Sequence, residues 1–335
     1  MRFKRLRLVS RNELLVFGFS LVMVISLLVM ERAVGIGWNY HADSVTYATL
    51  SDQMSSNIYN GNRWMLFNNG YYVISSFLGM SIVGITIMNM IIFSYTNVMI
   101  YRVHRDASRF LSKGKPIWIL CLLLLLCNPY RIHLGTTMLK DSLIIMFLVY
   151  ALSNKASARV ALMPILAVFR IASLIYFIIF LRRKYILIGA VCALLIWMVL
   201  WDALNVIILD FNSSEMQFRE FDRVLTFQDL GVAGALIRGI VWPLLAFSGA
   251  YVLLSPAAPF MMVYVGIFGG LVYIKLMTGR IYVPLSVYAV MVVFGVLVTG
   301  YTSYLRYVYP VLVLAPLIVV QATTVINRSV PANHT

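Results

Sequence analysis

Charged residues are scarce in this chain: 12% of its 335 residues are Asp, Glu, Lys or Arg, whereas 61% are hydrophobic. A soluble domain carries about a quarter charged residues, because its surface faces water. The mean hydropathy of +0.88 indicates that most of the surface faces lipid. The composition therefore excludes a soluble globular domain and predicts an integral membrane protein with many spans.

Acidic residues are the rarer charge, with 12 Asp and Glu against 27 Lys and Arg and a net charge of +15. Such basicity can indicate nucleic-acid binding, but here the bases fall in short stretches between apolar runs. That distribution is typical of cytoplasmic loops, so no nucleic-acid partner is predicted and the N-terminus is expected in the cytoplasm. Six of the twelve acids lie within 202–234, which suits an extracytoplasmic loop.

Cysteine and histidine are also few, with three and four residues. Cys121, Cys127 and Cys192 lie in apolar runs, which predicts buried small hydrophobes rather than disulfides or a metal site. The histidines are scattered, so neither a metal nor another cofactor is predicted. No small-residue cleavage site follows Met30, and the first apolar run is therefore expected to remain as an uncleaved span.

The hydropathy pattern predicts an all-α polytopic membrane protein with about nine to eleven transmembrane helices and short interfacial or re-entrant helices. We expect one polytopic domain over 1–335, with a basic cytoplasmic N-terminus (1–13), a first extracytoplasmic region (31–80) and the acidic extracytoplasmic loop (202–234). The apolar runs lie near 14–30, 82–101, 116–128, 138–152, 160–181, 185–201, 235–253, 259–275, 281–299 and 305–324.

The run at 160–181 is ambiguous, because Arg170 stands in its middle and both flanks are basic. It predicts either one span with an intramembrane arginine or two half-helices that enter and leave on the cytoplasmic side. The positive-inside rule favours the half-helices.

Four places carry polar side chains in or near the apolar runs, where a charge costs about 2.5–3.5 kcal/mol and usually has a function or a partner. They contain Asp43; Arg131, His133, Lys140 and Asp141; Arg170; and Arg306 with Tyr307. We expect the first, second and fourth at the external face, the second in an external turn after Asn128-Pro129.

Each place also has a structural interpretation. Asp43 could cap a helix over 44–54, on which Asp43, Tyr47, Leu50 and Met54 would share one face. Asp141 could pair with Lys140 in the first turn of a helix. Arg170 could be the partner of a buried acid or of backbone carbonyls, and Arg306 a snorkelling anchor at the interface.

Basic side chains beside many tyrosines, of which there are 20, suit a ligand that combines phosphate with sugar. Arginine binds phosphate through charge-assisted, often bidentate hydrogen bonds, and aromatic rings suit sugar faces. A single carboxylate can take the proton of an acceptor hydroxyl. This combination fits an enzyme that handles a sugar on a polyprenyl pyrophosphate.

The chain resembles polysaccharide-assembly membrane proteins over about residues 14–324. The resemblance rests on DSVTY from Asp43, the NP…LKDS element, the membrane Arg170, and R-Y-x-x-P from Arg306. These proteins include Wzy-type O-antigen and capsule repeat-unit polymerases and, more distantly, the C-type superfamily of lipid-sugar glycosyltransferases. The first loop lacks an adjacent acidic pair and the chain lacks a large soluble domain, unlike many C-type transferases.

The resemblance implies polymerisation of undecaprenyl-pyrophosphate-linked oligosaccharide repeat units at the periplasmic face of a bacterial inner membrane. Asp43 would activate the acceptor hydroxyl, with Asp141 as the second candidate. The predicted substrate-binding residues are Arg131, His133, Lys140, Arg170, Arg306 and Tyr307. Membrane lipid and a chain-length regulator are further candidate partners. A C-type transferase that modifies a glycan or lipid, a lipid-linked saccharide flippase, and a structural subunit remain alternatives.

Overall fold

The structure is a computed structural model that describes residues 10–61, 66–108, 114–154, 156–206, 227, 230–250, 258–298 and 300–329. Within these ranges every regular element is a helix, which confirms the predicted all-α class. The first nine helices are α1 (Arg11–Ala33), α2 (Ala42–Thr49), α3 (Ser51–Asn60), α4 (Leu66–Phe77), α5 (Ile82–Ser108), α6 (Lys115–Leu126), α7 (Pro129–Thr136), α8 (Asp141–Ser153) and α9 (Ala156–Phe169). They are followed by a 3₁₀-helix (Ile171–Phe180), α10 (Arg183–Val199), α11 (Gly231–Ser248), α12 (Ala258–Thr278), α13 (Leu285–Leu297) and α14 (Tyr301–Ser329).

Six helical segments of the described chain are long and apolar enough to cross a membrane. They are Arg11–Ala33, Ile82–Asp106, Lys115–Thr136, Gly231–Ser248, Ala258–Thr278 and Tyr301–Ala322. Four shorter apolar helices accompany them: Asp141–Ser153, Ser157–Phe169, Ile171–Phe180 and Leu285–Leu297. The chain is therefore a multi-pass membrane protein, whereas the number of nine to eleven spans stays a prediction.

The chain divides into two compact units, one formed by residues 1–172 with 320–335 and the other by 173–319. The single polytopic domain expected over 1–335 stays a prediction. The acidic loop predicted at 202–234 falls largely on residues 207–226, 228 and 229, which lie outside the described residues.

In the first unit α1 packs along α5, α5 contacts α8, and the short α7 contacts both α1 and α5. A small apolar core of Val24, Met90 and Phe93 joins α1 to α5. A Cβ placed on Gly135 of α7 would lie 2.9 Å from Val24 Cγ2 and 3.2 Å from Phe93 Cβ. The absence of a side chain at residue 135 therefore allows α7 to approach this core closely.

The start of α1 is defined by a capping box, in which Ser10 Oγ accepts from Glu13 N at 3.3 Å and Ser10 N donates to Glu13 Oε2 at 3.2 Å. The Glu13 carboxylate also accepts two hydrogen bonds from Arg102 of α5, both at 2.9 Å. Arg105 lies 3.6 Å away. This ion pair joins α1 to α5 at the predicted cytoplasmic end of the span.

The segment after Asn128-Pro129 is a helix rather than the expected turn, and its external position stays a prediction. Asn128 accepts a hydrogen bond from the Arg131 N–H as the N-cap of α7, and Pro129 occupies the first turn. Proline ends α6 but suits the first turn of the next helix, where its missing N–H has no partner to lose.

The segment 44–54 is helical as predicted, but it is divided between α2 and α3 by a bend at Leu50, so the single continuous helix is wrong. His41 is the N-cap of α2, without a side-chain hydrogen bond, and Asp43 lies in the first turn. Asp43 is therefore not the N-cap. The expected common face is interrupted as well, since Tyr47 is buried and Leu50 is exposed.

The run at 160–181 is interrupted at Arg170, between α9 and the 3₁₀-helix. This break agrees with the half-helix alternative rather than with one continuous α-helical span. The side from which the two halves enter the membrane stays a prediction.

In the second unit α11 and α13 pack against each other at glycines. A Cβ on Gly295 would lie 2.9 Å from both the Arg238 carbonyl oxygen and Gly239 Cα. By contrast α10 buries none of its residues. Cys192 of α10 is exposed, so the expectation that all three cysteines are buried is wrong; Cys121 is buried.

Candidate functional site

Asp141 and Arg170 form a buried ion pair in the first unit. The Arg170 Nη1 atom donates to Asp141 Oδ1 at 2.8 Å, and the two residues are 3% and 1% exposed. Asp141 begins α8, where a carboxylate is favoured by the helix dipole, as the sequence predicts. Arg170 is therefore the partner of a buried acid, which was one of its structural interpretations.

Lys140 lies next to this pair in sequence and contacts a strained segment of α4. Its Nζ atom donates to the Asn68 carbonyl oxygen at 3.3 Å. Asn68 has a φ of 73°, a left-handed conformation that asparagine tolerates better than most residues. The Asn68–Gly70 turn also contacts α9, because a Cβ on Gly70 would overlap Val168 Cγ1. The turn thus reaches both Lys140 and the end of α9.

Asn89 of α5 holds the connection between α7 and α8. Its Nδ2 atom donates to the carbonyl oxygens of Thr137 at 2.6 Å and Leu139 at 3.1 Å. It also donates to the hydroxyl oxygen of Tyr71 at 3.2 Å. Burial raises the pKa of Tyr71, the Asn89 hydrogen bond lowers it, and the nearby Asp141 carboxylate raises it further. Tyr71 therefore lies within electrostatic reach of the buried pair.

Asp43 is half-buried and precedes Tyr47, a member of a tyrosine cluster, on α2. Tyr47 packs against Tyr71 and Tyr72, with ring centroids 4.6 and 5.0 Å away. Burial raises the pKa of Tyr72, and the Asp43 carboxylate raises it further. Asp43 thus acts on Tyr72 and Asp141 acts on Tyr71, and both of these rings pack against Tyr47.

His133 is completely buried and binds Glu31, which lies in the last turn of α1. His133 Nδ1 lies 2.5 Å from Glu31 Oε1, and the exposures are 0% and 2%. The other carboxylate oxygen, Oε2, accepts from the Thr136 hydroxyl at 2.6 Å. Both oxygens of a buried carboxylate therefore have hydrogen-bond donors, as burial of a charge requires.

The second ring nitrogen of His133 faces another histidine. The Nε2 atoms of His133 and His41 are 2.9 Å apart. His41 is half-buried at the N-terminus of α2, and the Tyr40 ring lies edge-on to it at 5.1 Å. Tyr130 packs beside His133 at 5.7 Å. Glu31, His133 and His41 thus form a hydrogen-bonded row from the interior to a partly exposed position.

Arg131 makes contacts that stabilise the fold. Its Nη2 atom donates to the carbonyl oxygens of Leu125 and Leu126 at 3.1 Å and to Asn97 Oδ1. These carbonyls lie at the C-terminus of α6, where a cation is favoured. The guanidinium also lies over the Phe93 ring, 5.2 Å from its centroid. Its predicted role in substrate binding stays a prediction.

Arg306 and Tyr307 belong to the second unit and lie in the first turns of α14. The Tyr307 carbonyl oxygen accepts from the Tyr176 hydroxyl at 2.6 Å. The Tyr307 ring packs against Phe294 at 5.4 Å. Their predicted contact with substrate stays a prediction.

The site therefore contains the predicted Asp43, His133, Lys140, Asp141 and Arg170. It also contains Glu31, His41, Asn68 and Asn89, which were not predicted as site residues. Of these, Asn89 left a usable signal in the sequence, because a polar side chain within an apolar run requires a partner.

Among the described residues, no group of three His, Cys, Asp or Glu side chains is arranged to hold a metal ion. Comparison of the chain with family models, curated proteins and solved structures found no match.

Proposed function

We propose that the protein is a glycosyltransferase that polymerises polyprenyl-pyrophosphate-linked oligosaccharide repeat units at the outer face of a bacterial inner membrane. The observation that carries the proposal is the buried pair of Asp141 and Arg170, 2.8 Å apart, in the same compact unit as Asp43, His133 and Lys140. Three of these residues (His133, Asp141 and Arg170) are almost fully buried. Buried ionisable groups in a membrane protein commonly mark the path or site of a polar substrate.

The two parts of the site suit the two parts of the reaction. Lys140 and Arg170 are the cations for a pyrophosphate leaving group, whose negative charge grows as the glycosidic bond breaks. Asp141 holds Arg170 in place at 2.8 Å, which fixes the direction of the guanidinium. Asp43 is half-buried, and its carboxylate can bind acceptor hydroxyl groups beside the tyrosine cluster.

In the proposed step an acceptor sugar hydroxyl attacks the anomeric carbon of the growing glycan. A carbon–oxygen bond forms there, and the bond from that carbon to the phosphate oxygen breaks. The electron pair leaves with the polyprenyl pyrophosphate, while a base of the protein takes the hydroxyl proton. No external oxidant, reductant or metal is needed for this balance.

Deletion of the gene, followed by gel electrophoresis of the surface polysaccharide, tests the function. A polymerase predicts loss of the ladder with a single-repeat band that remains, and the complete ladder should return with the intact gene. Complete loss of the polysaccharide would favour a flippase. A complete ladder of altered repeat mass would favour a modifying transferase, and an unchanged ladder would contradict all three.

A further inference from the structure

We infer that His41 is the base that takes the acceptor proton, and that Glu31 and His133 position it by fixing its tautomer. This inference rests on the proposed function and assigns the base to a histidine rather than to Asp43. It is carried by the row of Glu31, His133 and His41, with 2.5 Å from Glu31 Oε1 to His133 Nδ1 and 2.9 Å between the Nε2 atoms.

The protons along this row follow from the hydrogen-bond inventory of the groups. An ionised carboxylate only accepts, so His133 must present its N–H to Glu31 through Nδ1. A neutral imidazole has one donor and one acceptor, and Nε2 of His133 is then the acceptor. His41 must donate to it through its own Nε2, which leaves Nδ1 of His41 as the basic nitrogen.

The row also explains how the proton can be accommodated. When His41 Nδ1 takes the acceptor proton, its Nε2 proton can move to His133 Nε2. The positive charge is then on His133, directly beside the buried Glu31 carboxylate. A carboxylate that fixes and stabilises an imidazolium in this manner is the third member of many nucleophile–histidine sites.

The surroundings of the row contain other titratable groups from each neighbouring segment. Tyr40 comes from the α1–α2 connection, Tyr130 from α7, and Asp43 from α2 itself. Burial raises the pKa of Tyr40, so that its phenol remains neutral through the neutral pH range. The two imidazoles are therefore the groups of this set that can both donate and accept a proton.

The opposite end of α1 provides a matched control. Glu13 is also buried on α1, but its partners are Arg102 and Arg105, which remain charged at all accessible pH values. Glu31→Gln and Glu13→Gln are therefore the same chemical change on one helix. Only the change at Glu31 removes a carboxylate that contacts an imidazole.

The experiment uses the full-length protein in lipid nanodiscs, with lipid-linked repeat units extracted from the deletion strain, and measures release of polyprenyl pyrophosphate. His41→Ala should lower kcat by about 100-fold or more with little change in KM, and added imidazole should restore part of the rate. Glu31→Gln should lower kcat and move the acid limb of the pH–rate profile to lower pH, because the imidazolium loses its stabilising charge. Glu31→Asp should recover part of the lost kcat and part of the shift in the pH–rate profile. Glu13→Gln, measured on its folded fraction, should change neither kcat nor the pH–rate profile.

His41→Gln is a second variant in case His41→Ala does not fold, and size-exclusion chromatography measures the folded fraction of each. The inference is wrong if the wild type polymerises and the folded His41 variants keep its kcat and pH profile. It is also wrong if Asp43→Asn alone abolishes the acid limb. If the wild type releases no polyprenyl pyrophosphate, the proposed function fails, and this inference fails with it.

Discussion

The two glutamates of α1 occupy opposite ends of one membrane-spanning helix and differ in their partners. They are 18 positions apart in the sequence, or about 27 Å along the helix axis. Glu13 binds two arginines, one of which, Arg102, has a side chain that is 39% exposed. Glu31 binds a fully buried histidine and a hydroxyl.

The difference lies in what each pair can do with a proton. A guanidinium is always charged, so the contact of Glu13 with Arg102 is a static link between α1 and α5. An imidazole can carry one or two protons, so the contact of Glu31 with His133 can respond to a proton transfer at the row. Sequence position alone makes the two acids look equivalent, whereas their partners assign them different roles.

Removal of Arg170 should have the largest effect on stability, because it leaves the Asp141 carboxylate buried without its ion-pair partner. We expect Arg170→Met to lower the free energy of unfolding by about 3–5 kcal/mol. The double variant Asp141→Asn/Arg170→Met should be more stable than Arg170→Met, since the buried charge is gone, yet it should remain inactive. Thermal unfolding in detergent and the transferase assay measure the two properties. Equal stability of the single and double variants would show that the pair is not coupled.

A methyl group at residue 70 should have an intermediate effect on the free energy of unfolding. Gly70→Ala would place its Cβ against Val168 Cγ1, two residues before Arg170. We expect this to lower the free energy of unfolding by about 1–3 kcal/mol. Val168→Ala removes the Cγ1 atom and should recover part of that loss. The recovery should be incomplete, because the Val168 carbonyl oxygen would still lie 3.1 Å from the new Cβ. A double-mutant cycle by thermal unfolding measures this coupling, and simple additivity would contradict it.

Glu13→Gln should have the smallest effect of the three. The change weakens the capping box and the ion pair with Arg102, so we expect the free energy of unfolding to fall by about 1 kcal/mol. Because Arg102 is partly exposed, the difference from wild type should shrink as salt rises. Unfolding temperatures at low and high ionic strength test this. A salt-independent loss, or a shifted pH–rate profile, would remove the distinction between the two ends of α1.

Local sequence signals predicted several parts of the site. The basic flanks of the run around Arg170 favoured two half-helices, and the helix does end at that residue. Asp141 was expected in the first turn of a helix, and α8 begins at that residue. Both predictions depend on one side chain and its immediate neighbours, which the sequence contains.

Other parts depended on neighbours that are remote in the sequence. Asp43 was a candidate N-cap, but α2 begins two residues earlier than predicted, and its N-cap His41 contacts His133. Glu31 followed the apolar run as an ordinary flanking acid, and its partners His133 and Thr136 lie more than 100 positions away. No local pattern distinguishes such an acid from Glu13.

The sequence by itself determined that this is an all-α, multi-pass membrane protein with polar residues that need partners, because composition and hydropathy suffice for both. Only the tertiary structure decided which partners these are. It paired Asp141 with Arg170, brought Asn68 to Lys140, and aligned Glu31, His133 and His41 in one row. The physical reason is that a buried polar group is unfavourable without a hydrogen-bond partner, which the sequence indicates, whereas the packing of the helices determines which partner lies within hydrogen-bond distance.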